Sequence, residues 1–124
     1  MIAIDTSSWV AYLSGAPGRD ADLVADAVDQ HVAVLPPVVL TELLSDPRLP
    51  AAVRAALLEL PLLSLTEGFW ERAGLLRATV LSTRRQARVA DALIAQSCLD
   101  ASVPLVTRDR DFRHFAAAAG LALL

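Results

Sequence analysis

Short apolar runs alternate along this chain with longer segments whose apolar positions recur at helical spacing. Met1 to Ile4 is a continuous apolar run, the pattern of a buried strand, and Asp5-Thr6-Ser7-Ser8 supplies residues that cap helix starts. A helix to about Leu13 follows, and Gly15-Ala16-Pro17-Gly18 turns the chain. Between Asp20 and Asp29, Leu23, Val24, Ala27 and Val28 fall on one helical face. Val32 to Leu35 reads as a second strand, after which Pro36 and Pro37 open a helix, since proline fits a first turn. Pro50 opens another helix to about Leu60, and Pro61 separates it from a third strand at Leu62 to Leu65. Helices at Thr66 to Leu81 and Arg88 to Ala101 come next. A fourth strand at Leu105 to Thr107, a helix at Asp111 to Ala119 and a candidate last strand at Leu121 to Leu124 complete the pattern. Apolar strands alternating with helices predict an α/β fold, one domain over residues 1–124, with a mainly parallel central sheet flanked by helices. In such sheets ligands bind outside the carboxyl ends of the strands, so the acids just after the strands become the first candidates.

Composition narrows the classes. Hydrophobic residues make up 55% of the 124 and charged residues 20%, which excludes a disordered chain. The longest apolar run, Val32 to Leu40, is broken by two prolines, so no membrane span is expected. The start meets an acid at Asp5 and has no basic region, unlike a signal peptide. With Cys98 alone there is no intrachain disulfide, and a reducing, cytoplasmic setting fits best. The net charge of −3 does not suit indiscriminate adhesion to nucleic acid. Every cationic side chain is arginine, and the absence of lysine removes Walker, Schiff-base and receiver-domain chemistry together. His31 and His114 are the only imidazoles, and neither has the motif context of a Ser-His-Asp site.

Asp5 follows the first strand and reads either as a helix N-cap or as a site acid. Asp109 and Asp111 follow the fourth strand, where one of them caps the next helix. On a helical wheel Asp91 shares its face with Ile94, Ala95 and Cys98, while Gln96 and Asp100 lie about 140–180° away as a polar stripe. A lone carboxylate on an apolar face costs several kcal/mol in desolvation or takes up a proton, so Asp91 calls for a positive partner. Glu42 has mixed neighbours, Val38, Val39, Ser45 and Asp46, and helix geometry alone leaves its side open. Four separated acids are what a hard cation such as Mg²⁺ or Mn²⁺ needs, since it takes oxygen ligands and keeps several waters.

The stretches IAIDTSSWVAYL, VLTELL, ADALIAQS and LVTRDRDF resemble, in order, the four acidic motifs of PIN domains, and the chain as a whole resembles a VapC-type ribonuclease toxin of a type II toxin–antitoxin pair. The resemblance implies a Rossmann-like parallel sheet and a metal-dependent endoribonuclease cutting RNA, with Asp5, Glu42, Asp91 and Asp109 as catalytic metal ligands for Mg²⁺ or Mn²⁺. Thr6 or Ser7 matches the small hydroxyl after the first acid, Thr107 the one before the last, and Asp111 the second acid of the final motif. It also implies a homodimer and a cognate antitoxin protein. The approach to the third acid departs from the glycine-containing form of many relatives, being Ser82-Thr83-Arg84-Arg85-Gln86-Ala87-Arg88. Arg84, Arg85 and Arg88 before Asp91, with Arg108, Arg110 and Arg113 around Asp109, are candidates to hold RNA phosphates. Trp9, Phe69, Trp70 and Phe112 lie among apolar neighbours and are expected to pack in the core or an interface. The alternatives are a catalytically silent PIN-like protein-binding module and a phosphatase with Asp5 as nucleophile. The phosphatase is disfavoured by Ser7, where a second acid is wanted, and by the missing lysine.

Overall fold

The computed structural model describes all 124 residues. A three-stranded parallel sheet has the order β2-β1-β3: β1 is Ile2–Ile4, β2 Ala33–Val34 and β3 Leu105–Val106. β1 is central, pairing Ala3 with Val34 on one side and with Leu105 on the other. Its neighbours bury Ala3, Ile4, Val34, Leu105 and Val106 almost completely. A sheet covered on both faces uses continuous apolar strands instead of alternating ones, as read from the sequence.

Seven helices complete the chain: α1 Thr6–Leu13, α2 Arg19–Asp29, α3 Pro37–Leu44, α4 Ala51–Leu58, α5 Phe69–Ser82, α6 Val89–Ala101 and α7 Phe112–Ala119. Val24, Val39, Ile94, Phe112 and Phe115 carry their helices onto the sheet and form one core with its strands. None of the helices is long and apolar enough to cross a membrane.

Two expected strands shrink to single bridges. Leu62 pairs with Leu35, and Leu123 with Leu105, each in parallel sense. The first pairing ends where proline ends it: Leu35 donates to the Pro61 carbonyl and accepts from Leu63, but Pro37, the next residue on that side, has no N–H to extend the ladder. Ser64 and Leu65 then lie exposed. At the other edge Leu105 donates to Ala122 and accepts from Leu124 at the end of the chain, again a single step of ladder. The helix expected from Thr66 begins instead at Phe69, after Gly68 at φ +80°. This turn favours glycine for its backbone angle, and a Cβ on Gly68, 2.7 Å from the Arg72 guanidinium, would also push that side chain aside.

The wheel reading of α6 holds for one side only. Ile94, Ala95 and Cys98 are buried with Asp91, but so is Gln96 on the supposed polar stripe. Arg72 of α5 reaches across with a two-pronged bond to Asp100, at 2.7 and 3.1 Å, and Gln96 donates to the same carboxylate. That pairing holds the Asp100 carboxyl below its ordinary range and lets the polar side of α6 pack against α5.

Candidate functional site

Because all three strands run the same way, the segments leaving them emerge at one edge of the sheet. Asp5 leaves β1, Thr107 to Asp109 leave β3, and β2 runs through Leu35 and Pro36 into α3. Asp5 occupies the N-cap position of α1, yet its side chain makes no capping bond. The carboxylate instead accepts from Ser7 Oγ at 2.7 Å and from Thr107 Oγ1 at 3.0 Å, both on Oδ2. Its backbone is fixed by the sheet, with its N–H donating to the Val106 carbonyl. Asp5 is thereby buried and aimed toward the loop after β3.

Thr107 passes the connection on. Its hydroxyl oxygen accepts the Asp109 N–H at 3.0 Å, and Asp109 Oδ1 accepts the Asp111 N–H at 2.9 Å. Asp111 stands at the N-cap of α7 with no side-chain capping bond, so of the two acids Asp109 ties down the start of that helix. Across the cleft Thr6 Oγ1 donates to Glu42 Oε1 at 2.7 Å, which turns this exposed side chain of α3 toward α1.

Asp91, in the first turn of α6, is 8% exposed, and its Oδ2 is buried without a hydrogen-bond partner. The expected positive partner is absent, since no arginine reaches ion-pairing distance. Burial raises the Asp91 carboxyl to about 6, helped by the charges of Asp109 and Asp5 and, more weakly, Glu42, while Arg88 opposes the rise. The charges of the other three acids therefore all reach Asp91.

No three acidic, histidine or cysteine side chains are packed as a ready-made metal cage. The residues nevertheless fit a hard divalent cation. The donors are oxygens, one buried carboxylate oxygen lacks any partner, and the mutual repulsion is of the kind a cation relieves. Mg²⁺ bound largely through waters needs only one or two direct carboxylates.

The arginines divide into two groups. Arg108, which the sequence assigns to phosphate, grips Asp20 of α2 with both prongs at 2.9 Å, and Ser8 donates to the same carboxylate. The Arg108 hydrogen bonds, with burial opposing and Ser8 adding, lower the Asp20 carboxyl to about 2. Sequence inspection did not single out Asp20 or Ser8, and no local signal marks them, because the pair joins residues 88 apart in the chain. Arg84, Arg85, Arg88, Arg110 and Arg113 are exposed and form no ion pair.

Thr107 is the most testable part of this framework. Replacing it by valine leaves the Asp109 N–H without an acceptor and removes a donor from Asp5. Thermal unfolding of Thr107→Val should reveal a loss of about 1–2 kcal/mol, whereas Thr107→Ser, which keeps both bonds, should melt close to the parent protein. Equal melting of both variants would contradict this role.

The sequence matches the PIN domain family over residues 2–118. No curated protein matches it. The fold is similar to a chain of FitAcB from Neisseria gonorrhoeae, with 19% identity, a TM-score of 0.70, and 100% of this chain and 96% of that one covered. It is similar also to a chain of VapBC2 from Rickettsia felis, a complex bound to a DNA fragment from their promoter. There identity is 18% and the TM-score 0.72, over 100% and 98% of the two chains. A chain of VapBC-5 from Mycobacterium tuberculosis, a member of the VapBC family of toxin–antitoxin systems, matches at 19% identity and a TM-score of 0.65, over 99% and 96%.

Proposed function

This chain belongs to the PIN domain family, and we propose that it is a divalent-metal-dependent endoribonuclease, the toxin of a type II toxin–antitoxin pair, acting as one unit over residues 1–124 in the cytoplasm. The observation that carries the reading is Asp91. Its buried carboxylate oxygen has no partner, and the charges of Asp109, Asp5 and Glu42 all bear on it, near the carboxyl edge of a parallel sheet. A silent binding module has no use for so unfavourable an arrangement of like charges.

In this reading Asp5, Glu42, Asp91 and Asp109 hold Mg²⁺ or Mn²⁺. A cation there supplies Lewis-acid polarisation of the phosphoryl group and a lowered pKa for an attacking water. Ser7 and Thr107 fix the rotamer of Asp5, and Thr6 that of Glu42, so these two carboxylates are oriented before substrate arrives. Unpaired arginines beside Asp91 and Asp109, Arg84, Arg85, Arg88 and Arg110, draw in the RNA backbone that the acids alone would repel. Water attacks the phosphorus and the 3′ oxygen leaves, giving 5′-phosphate and 3′-hydroxyl ends with the 2′-hydroxyl uninvolved. Purified protein incubated with total RNA in Mg²⁺ or Mn²⁺ should produce such ends, and EDTA should stop cutting. Cyclic-phosphate ends, or cutting undiminished by EDTA, would overturn the mechanism.

Two apolar surfaces support the partner assignments. Trp70, expected in a core or interface, is 61% exposed; with Leu81 and Val89 it bounds a cavity of about 380 Å³ along α5 and α6. The accessible surface of 7032 Å² exceeds the roughly 6,400 Å² usual for a 13.2 kDa monomer, and mean hydropathy is +0.48. We assign this face to a homodimer, so Trp70→Glu should convert the dimer to monomer by light scattering, and an unchanged mass would reject that interface. A second groove of about 340 Å³ is bounded only by apolar residues, from α1, α2 and α4 and from Leu60 just beyond α4, among them Tyr12, Val28 and Val53. It suits the apolar face of an antitoxin segment, as the toxin–antitoxin complexes with this fold suggest.

A further inference from the structure

Resting on the ribonuclease reading, we propose that the basic cavity between α5 and α7 is a second RNA subsite, holding a backbone phosphate and ribose of the strand as it leaves the acidic cleft. Two polar cavities share Arg110 and Arg113 as a common wall. The first, about 260 Å³, is also bounded by Thr107, Arg108 and Asp109 and so reaches the last of the four acids. The second, about 570 Å³, continues to Arg85, Thr79, Thr83 and His114. The shared arginines are held together by a turn, the Arg113 N–H donating to the Arg110 carbonyl at 3.0 Å just before and at the start of α7.

The charge of this second cavity is opposite to that of the cleft. Three guanidiniums face a single carboxylate, Asp111, in a chain whose net charge is −3. None of the three is engaged in an ion pair, unlike Arg72 and Arg108. An unpaired arginine fork in a polar hollow is suited to phosphate, and the adjoining acids require cations nearby if a polyanion is to approach at all.

The remaining lining favours RNA over DNA. Thr79 and Thr83 donate their hydroxyl hydrogens to the Leu75 and Val80 carbonyls, which leaves their oxygens as acceptors. His114 Nδ1 lies 3.1 Å from the Gln86 carbonyl, which can only accept, so Nδ1 carries a hydrogen and is already engaged. With Asp111, the cavity joins phosphate-binding arginines to several acceptors and few free neutral donors. A ribose 2′-hydroxyl supplies the donor that such a lining lacks, and deoxyribose does not.

The test is fluorescence anisotropy with a labelled single-stranded RNA of mixed sequence about twelve nucleotides long, within the usual span of single-strand sites. It is run in EDTA on the Asp91→Asn protein, so that no strand is cut. Adding Arg85→Gln and Arg113→Gln should raise Kd about tenfold and reduce the slope of log affinity against log salt by about 1.4, the effect of two lost single-strand phosphate contacts. Arg85→Lys with Arg113→Lys should keep that slope. The charge-matched control, Arg48→Gln with Arg54→Gln, should bind within about twofold of the parent. The 2′-deoxy strand should bind several-fold more weakly than RNA.

Equal effects of the test and control pairs, or no binding to either strand at low salt, would overturn the subsite. Equal arginine-dependent binding of DNA and RNA would overturn it in favour of a DNA track. Wild-type cleavage assayed separately distinguishes the two readings. RNA cutting with arginine-independent binding removes only the subsite, while arginine-dependent binding with no cutting in any metal removes the nuclease.

Discussion

Asp91→Asn should lose RNA-cleaving activity by at least about a hundredfold, the upper range for removing even an outer-shell partner of a metal ligand, and should at the same time fold more tightly than the parent. The second half follows from the Asp91 environment. A carboxyl held at about 6 in the fold and at 3.8 in the open chain binds more protons folded than unfolded between those values. Metal-free protein therefore loses stability as pH rises from about 4 to about 6, and the loss persists above 6. Its size at pH 7 is on the order of 2 kcal/mol. Asparagine carries no charge to desolvate, so the variant should show no slope in that window. Asp20 acts with the opposite sign and in a different window. Its depressed carboxyl makes stability fall as pH drops from about 4 toward 2, in both proteins alike. Melting both proteins across pH 3–8 in EDTA is the measurement. An Asp91→Asn protein less stable than its parent at pH 7 would mean that Asp91 is a structural acid.

Adding Mg²⁺ should have the next largest effect, because a cation that binds only the folded acids stabilises by mass action. At a hundred times its Kd the gain is about 2.7 kcal/mol, which for a chain of this size raises Tm by roughly 10 °C. The same addition should flatten the pH dependence between 4 and 6, since a neighbouring cation favours ionised Asp91. Asp91→Asn should respond far less. Identical melting with Mg²⁺ and with EDTA would reject the metal assignment independently of any RNA assay.

The parts of this architecture legible in the sequence are those encoded locally. The two central strand pairings, the proline-opened helices and the buried side of α6 follow from apolar runs, Pro36-Pro37 and the Ile94, Ala95, Cys98 spacing. What stayed hidden depends on residues distant in the chain. Gln96 and Asp100 read as a wet stripe because nothing near them announces Arg72, which sits on another helix 28 residues before Asp100. Arg108 looked free because Asp20 is 88 residues away. Leu62 to Leu65 has the composition of a strand, but its only partner edge ends at a proline. For the acids, the wheel located Asp91 on a buried face, yet it called for a positive neighbour where the structure offers three more carboxylates.

The placement of β1 also bears on how this protein comes into being. Asp5 precedes its orienting hydroxyl, Thr107, by 102 positions, and β3, one of the two partners of β1, is equally remote. At ordinary translation speeds the interval between the two is about 5–20 s. Throughout that time the growing chain lacks the β3 partner of its first strand and the hydroxyl that anchors Asp5. Asp5 thus acquires its fixed orientation only once Leu105 to Thr107 have been made and have closed the far side of the sheet.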